Sequence, residues 1–207
     1  MEFILTESEF NEDNTAWNGN RFLMGNGYFG IRGTLEEYTK KQMCAVNMAG
    51  IYDKMGNSWR ESVNAPNPLY TYIKVNGKIY ALPDEKPKFH QQELDFRYGI
   101  HSRVTHWQTE HGNITVVCER FASIARQHNI AMKYTFSVDF DCEAEIITGI
   151  DGDVWDINGP HFVKMKIGSK DGADYVTGMT GEKNISVTVK EYIRTDFQAE
   201  QTNQNTD

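Results

Sequence analysis

Gly25-Asn26-Gly27-Tyr28-Phe29-Gly30 has the G-x-G-x-x-G spacing with which a glycine-rich turn brings backbone amides against a dinucleotide pyrophosphate. That chemistry needs a strand before the turn and a helix after it, whose N-terminus meets the phosphate. Here another glycine, Gly33, follows within one turn, β-branched and aromatic residues fill the gap, and no βαβ unit comes later. The spacing therefore predicts a tight, glycine-dependent strand turn where the backbone needs positive φ or close approach.

Asp151-Gly152-Asp153-Val154-Trp155-Asp156-Ile157-Asn158-Gly159 gathers three carboxylates and an amide, the donor types of a calcium loop or of paired catalytic acids. Counted from Asp151, Asp156 stands where a calcium loop has glycine and Phe162 where it has a bidentate glutamate. The segment reads as a structured loop whose Asp and Asn side chains bond their own backbone. The six histidines, His90, His101, His106, His111, His128 and His161, show no H-E-x-x-H or similar spacing, and strand positions five apart face opposite ways. They read as ordinary surface or core residues, and no metal site is expected. Without G-x-S-x-G, serine hydrolysis also lacks support.

Aromatic residues offer a different chemistry. A flat ring suits the apolar face of a pyranose while neighbouring polar groups take its hydroxyls. Trp59 and Trp155 stand among Asn, Asp, Gly and Arg, and are the candidates for a carbohydrate platform or an interface anchor.

The framework that must hold these residues is a strand framework. Ile130, Met132, Tyr134, Phe136 and Val138 alternate with Ala131, Lys133, Thr135, Ser137 and Asp139, so one face is apolar and one polar. Ile185, Val187 and Val189 repeat the pattern, as does the run from Tyr70 to Val75. That run meets Asn76-Gly77, a pair suited to the positive φ angles of a type I′ turn, and returns through Lys78 to Leu82. A second hairpin is expected from Ser102 to Phe121 around His111-Gly112-Asn113. Thr34 to Tyr38 has the composition of a helix start, but no apolar period sustains one. Many short strands with Gly and Asn turns predict an all-β, antiparallel β-sandwich. Its span is 1–197, followed by a polar tail at 198–207.

Composition narrows the partners. The 207 residues are 39% hydrophobic and 24% charged, as in globular domains, and long enough for one large core. A net charge of −8 with scattered Lys and Arg opposes a nucleic-acid partner, whose affinity rests on displaced phosphate counterions, and gives no basis for membrane binding. Cys44, Cys118 and Cys142 are an odd set without C-x-x-C spacing and fit reduced thiols. An acidic opening, Met1-Glu2-Phe3-Ile4-Leu5-Thr6-Glu7, lacks the pattern of a signal peptide. A cytoplasmic location is the expectation.

The run from Trp17 through Gly25 and Gly33 to Glu37 resembles the start of the maltose, trehalose and kojibiose phosphorylases, glycoside hydrolase family 65. Ala49-Gly50-Ile51-Tyr52-Asp53, Asn64-Ala65-Pro66-Asn67, the stretch from Gln92 to Ser123, and Ile150-Asp151-Gly152-Asp153-Val154-Trp155 follow in the family's order. The resemblance implies a supersandwich similar to galactose mutarotase, joined in its parent to an (α/α)6 barrel that holds the active site. It further implies that a barrel glutamate protonates the glycosidic oxygen while inorganic phosphate, the co-substrate, attacks and inverts the anomeric carbon. Phosphate is already anionic, so no second carboxylate is needed to activate water. On this reading no catalytic residue falls within the chain, no cofactor is used, and the domain is shortened at its C-terminal end. The expected partners are the barrel of its own full-length chain, a disaccharide in the parent and a second copy in a homodimer. The alternatives are a carbohydrate-binding module, a hydrolase parent of the same family, or an aldose epimerase.

Overall fold

The computed structural model describes residues 3–197 and 202. The polar tail expected at 198–207 lies outside the described residues, Thr202 apart.

Among the described residues, fifteen strands form four antiparallel sheets. The largest joins β1 (Ile4–Glu7), β8 (Phe89–Asp95), β9 (Ile100–Gln108), β10 (Asn113–Ala122) and β11 (Ile130–Val138) in that order. Across from it lie β12 (Ala144–Asp151), β6 (Asn67–Val75) and β7 (Lys78–Tyr80). Ile73 and Val75 of β6 and Tyr80 of β7 pack on Trp107, Ile114 and Val116 of the large sheet. Tyr134, Phe136 and Val138, the apolar set of β11, close the side of this core. The sandwich expected from period two is thus present, with those side chains as its filling.

Both expected hairpins form. Asn76 and Gly77 adopt φ 49° and 77°, the positive pair a type I′ turn needs, between β6 and β7. Between β9 and β10 the turn closes through Thr109 N–H donating to Gly112 O at 2.8 Å.

A four-stranded sheet of β2 (Met24–Gly25), β3 (Phe29–Ile31), β4 (Val46–Asp53) and β5 (Glu61–Asn64) covers one end. Met24, Ile31 and Val46 pack there with Leu69 of β6 and with Ile130 and Met132 of β11. The last sheet, β13 (Phe162–Lys170), β14 (Ala173–Thr180) and β15 (Ser186–Glu191), meets β12 through Thr148 Oγ1, which donates to Glu191 at 2.9 Å.

One helix, α1 (Thr15–Arg21), stands where no helical period is legible. Seven residues with a glycine and two asparagines are too few to show one, and the segment is held by packing rather than propensity. Thr34 to Tyr38 makes only a turn.

Candidate functional site

The glycine run is a strand turn. β2 and β3 pair antiparallel around it, and Asn26 Oδ1 accepts from Tyr28 N–H and Phe29 N–H at 3.0 and 2.8 Å. The Asn26 amide then donates to the carbonyls of Ser123 and Gln127. Gly27 takes φ +85°. Gly33 serves the other purpose: a Cβ there would sit 2.3 Å from Phe22 Cβ and 2.6 Å from the Phe22 backbone. A strand follows the turn instead of a helix, so the pyrophosphate geometry is absent.

Beyond Gly33 the chain dives between the two main sheets and carries a buried ion cluster with it. Arg103 Nε donates to Glu36 at 2.8 Å, and its Nη1 and Nη2 fork onto Glu37 at 3.1 and 2.5 Å. Arg120 Nη1 lies 3.0 Å from the other Glu36 oxygen, while its Nη2 donates to Thr34 O. Two guanidinium groups thus face two carboxylates, all four side chains at most 2% exposed. Burial penalises the charged form, but Arg120 and Arg103 outweigh it and hold Glu36 down at about 2. His90 and His101 line the same layer, bonded to Thr105 at 2.9 Å and Gln92 at 3.3 Å. Burial, with Arg103 adding to it against the pull of Glu36, lowers His90 to about 4, and His101 is pushed well down, mainly by burial. Backbone bonds complete the anchor, with Thr71 N–H donating to Glu36 O at 3.0 Å and Leu82 N–H to the Glu37 carboxylate at 3.2 Å. Each carboxylate faces an arginine, so the cluster ties the segment between the sheets, although Arg120 Nε, His90 Nε2 and His101 Nδ1 have no hydrogen-bond partner among the described residues.

A second cluster is less balanced. Asp53 ends β4, Glu61 opens β5 opposite it, and His161 precedes β13. The imidazole sits between them, Nδ1 at 3.3 Å from Asp53 Oδ2 and Nε2 at 2.7 Å from Glu61 Oε1. Asp156, from the loop between β12 and β13, puts Oδ1 4.0 Å from His161 Nε2. Glu182, in the turn after β14, donates its N–H to Asp53 Oδ1 at 2.9 Å, and Gly181 N–H donates to His161 O at 3.0 Å. Three chain segments are stapled here. Burial opposes a charged imidazole, yet Glu61, Asp156 and Asp53 raise the His161 pKa. Glu61 is held down, despite burial, by bonds from His161 and Asn158, whereas burial raises Asp156.

The two tryptophans lie beside this staple along the chain. Trp59 is 63% exposed and precedes Arg60, which pairs with Glu182. Trp155 precedes Asp156 and is half-buried, its carbonyl accepting from the Asn64 amide and its indole N–H buried without a protein acceptor among the described residues. Neither lines the groove of about 350 Å³ near the Asn76-Gly77 turn, which Tyr80, Trp107, Phe140, Lys78, Glu85 and Lys86 help to form. Trp107 is 2% exposed and donates to Glu85 O at 2.9 Å.

Asp151 behaves as the loop reading expects, its Oδ1 accepting from Asp153 N–H at 2.9 Å, while Lys40 pairs with Asp153 at 2.7 Å. What spacing missed is the meeting of Glu61, Asp156 and His161, brought together from positions 61 to 161 by sheet packing. The acid-rich loop was the single local signal, and nothing local pointed to its partners.

Comparison with known proteins follows the same outline. The chain is 51% identical over 166 residues to the nigerose phosphorylase of Lachnoclostridium phytofermentans, covering 80% of this chain and 22% of that protein. It is 37% identical over 191 residues to the 1,2-alpha-glucosylglycerol phosphorylase of Bacillus selenitireducens, covering 91% and 25%. A kojibiose phosphorylase of Halothermothrix orenii is 32% identical over 193 residues, with 90% and 24% covered. The chain thus spans about a quarter of the length of these relatives. A solved structure from the human microbiome, assigned as a kojibiose phosphorylase, shares the fold with a TM-score of 0.83 at 20% identity, over 96% of this chain and 29% of that one. Residues 5–207 match the family model of the glycosyl hydrolase family 65 N-terminal domain, and the chain belongs to that family.

Proposed function

We propose that this domain is the non-catalytic β-sandwich of an inverting disaccharide phosphorylase, supporting a catalytic barrel and a homodimer. The observation that carries the reading is the family match over residues 5–207 combined with a span of about a quarter of the relatives' length. In the parent, phosphate would attack an α-glucosidic disaccharide to give β-glucose 1-phosphate and glucose, on a barrel glutamate that these residues do not supply. Val163, Met165 and Ile167 are exposed on β13, a strand paired on one side only among the described residues, and an exposed apolar face of this kind supports a reading in which another domain covers it. The free thiols Cys44 and Cys118, both buried, support a reducing cytoplasmic setting.

Phosphorolysis is the test. The purified chain, given nigerose, kojibiose, trehalose or maltose with inorganic phosphate, is expected to release no glucose 1-phosphate. Sustained release would overturn the reading.

A carbohydrate-binding role is the second reading, favoured by the 63% exposure of Trp59. Under it, the same sugars at millimolar concentration give a saturable change in tryptophan fluorescence that Trp59→Ala removes. The epimerase alternative is weaker, because acid and base must stand on either side of a sugar ring, whereas His161 and Glu61 bond each other at 2.7 Å.

A further inference from the structure

The staple of Asp53, Glu61, Asp156 and His161 has more negative charge than its own residues neutralise. Three carboxylates surround one imidazole, so even a protonated His161 leaves −3 + 1 = −2. The neighbouring Arg60 is engaged by Glu182. Asp156 shows the imbalance most directly. Its side chain is 6% exposed, and Oδ1 is buried without a hydrogen-bond partner. An orphaned carboxylate oxygen in such a place costs on the order of several kcal/mol unless something answers it.

Donor geometry says what would answer it. One oxygen of Glu61, one of Asp156 and a ring nitrogen of His161 lie within 4.8 Å of one another. An ion about 2.1 Å from each ligand in tetrahedral array separates neighbouring ligands by about 3.4 Å. The observed pairs on His161 Nε2 are 2.7 Å to Glu61 and 4.0 Å to Asp156, on either side of that value. Replacing the shared proton by an ion requires the first to open and the second to close by roughly 0.6–0.7 Å each, within reach of side-chain rotation. Behind the ring, Asp53 Oδ2 faces Nδ1 at 3.3 Å and is itself fixed by Glu182 N–H. A carboxylate accepting from Nδ1–H is the outer support that metal-binding histidines use to aim Nε2.

We propose that Glu61, Asp156 and His161 form a binding site for a divalent transition ion of the zinc class, with Asp53 as the carboxylate that positions the imidazole. One nitrogen and two oxygens suit zinc, cobalt or manganese, whereas calcium and magnesium prefer oxygen donors alone. The ion would tie the β4–β5 pair to the loop before β13 and the turn after β14. Its role is structural and independent of whether the parent is a phosphorylase.

The test is calorimetric titration of chelator-stripped chain with Zn²⁺, with Co²⁺ absorption as a second probe. One saturable site is expected, with visible Co²⁺ bands of a low-coordinate nitrogen–oxygen set and a thermal midpoint raised by Zn²⁺. Asp156→Asn should weaken Zn²⁺ by at least about tenfold while changing the midpoint of the metal-free chain little, since Oδ1 makes no hydrogen bond there and the imidazole keeps Glu61 and Asp53. Asp53→Asn should weaken it about 10–100-fold without removing a ligand. No saturable binding up to millimolar Zn²⁺, equal affinity in Asp156→Asn, or tighter binding of Ca²⁺ than of Zn²⁺ overturns the proposal.

Discussion

Gly27 and Gly33 belong to one sequence run and answer to different constraints. At Gly27 only the +85° φ matters, because a Cβ there meets nothing within 4 Å. Gly27→Ala should therefore lower stability by about 1 kcal/mol and leave the fold intact, as chemical denaturation would measure. Gly33→Ala drives a methyl into Phe22 at 2.3 Å, against backbone as well as side chain, and should yield little soluble folded protein. The buried charges follow a harsher rule. Arg103→Met strands Glu37 and half of Glu36 in the core and should cost about 3–5 kcal/mol, read as a fall in urea midpoint. Glycine dependence was legible at this scale, since φ and close approach are local demands. The clusters were not, because a carboxylate's partner lies 66 or 67 residues away for Glu37 and Glu36 and 100 for Glu61.

Among elements, β11 shows why the sandwich was readable and β9 shows what was hidden. In β11 the apolar residues alternate cleanly and the apolar side packs inward. In β9, His101, Arg103, Thr105 and Trp107 are the buried set, whereas Ile100 and Val104 lie on the outer side. Hydropathy alone would turn that strand the other way. Its orientation is set by the two glutamates of the segment after Gly33, which need Arg103 and Arg120 on the inner face. Both hairpins were legible because their turns carry Asn-Gly or a glycine at fixed positions, while α1 is too short to show a period. The β13 edge leads to an expectation of its own. With Val163, Met165 and Ile167 exposed and no barrel to cover them, the chain by itself is expected to associate through this strand. Ile167→Lys should reduce concentration-dependent association in sedimentation velocity and leave the thermal midpoint nearly unchanged.

For the whole molecule, the buried polar layer should make stability fall on acidification. His90, lowered to about 4 chiefly by burial, stays neutral in the fold while the unfolded chain takes up a proton below 6.5. Its contribution is complete above about 6.5 and is lost as pH falls toward 4. His101 acts in the same direction. Glu36 adds a lower window, present above 4.5 and lost toward 2, because the arginines keep its carboxylate charged in the fold. His161, raised by its carboxylates, opposes these, as do Glu37, Asp151, Asp156 and Glu191, which burial raises, because a group whose pKa is higher in the fold gains stability on acidification. Thermal midpoints should drop steadily from pH 7 to pH 4, and His90→Gln should flatten the upper part of that decline. A flat profile would contradict this electrostatic account.

Family membership was legible from the ordered blocks that begin at Trp17, and the sandwich from period two. If this domain supports chemistry located elsewhere, a chimera in which residues 5–197 replace the matching domain of the Lachnoclostridium phytofermentans nigerose phosphorylase keeps that chemistry. Nigerose phosphorolysis is expected with kcat/KM within about tenfold of the unmodified phosphorylase and with no change in disaccharide preference. A folded chimera with its preference shifted, or with activity abolished, would contradict it.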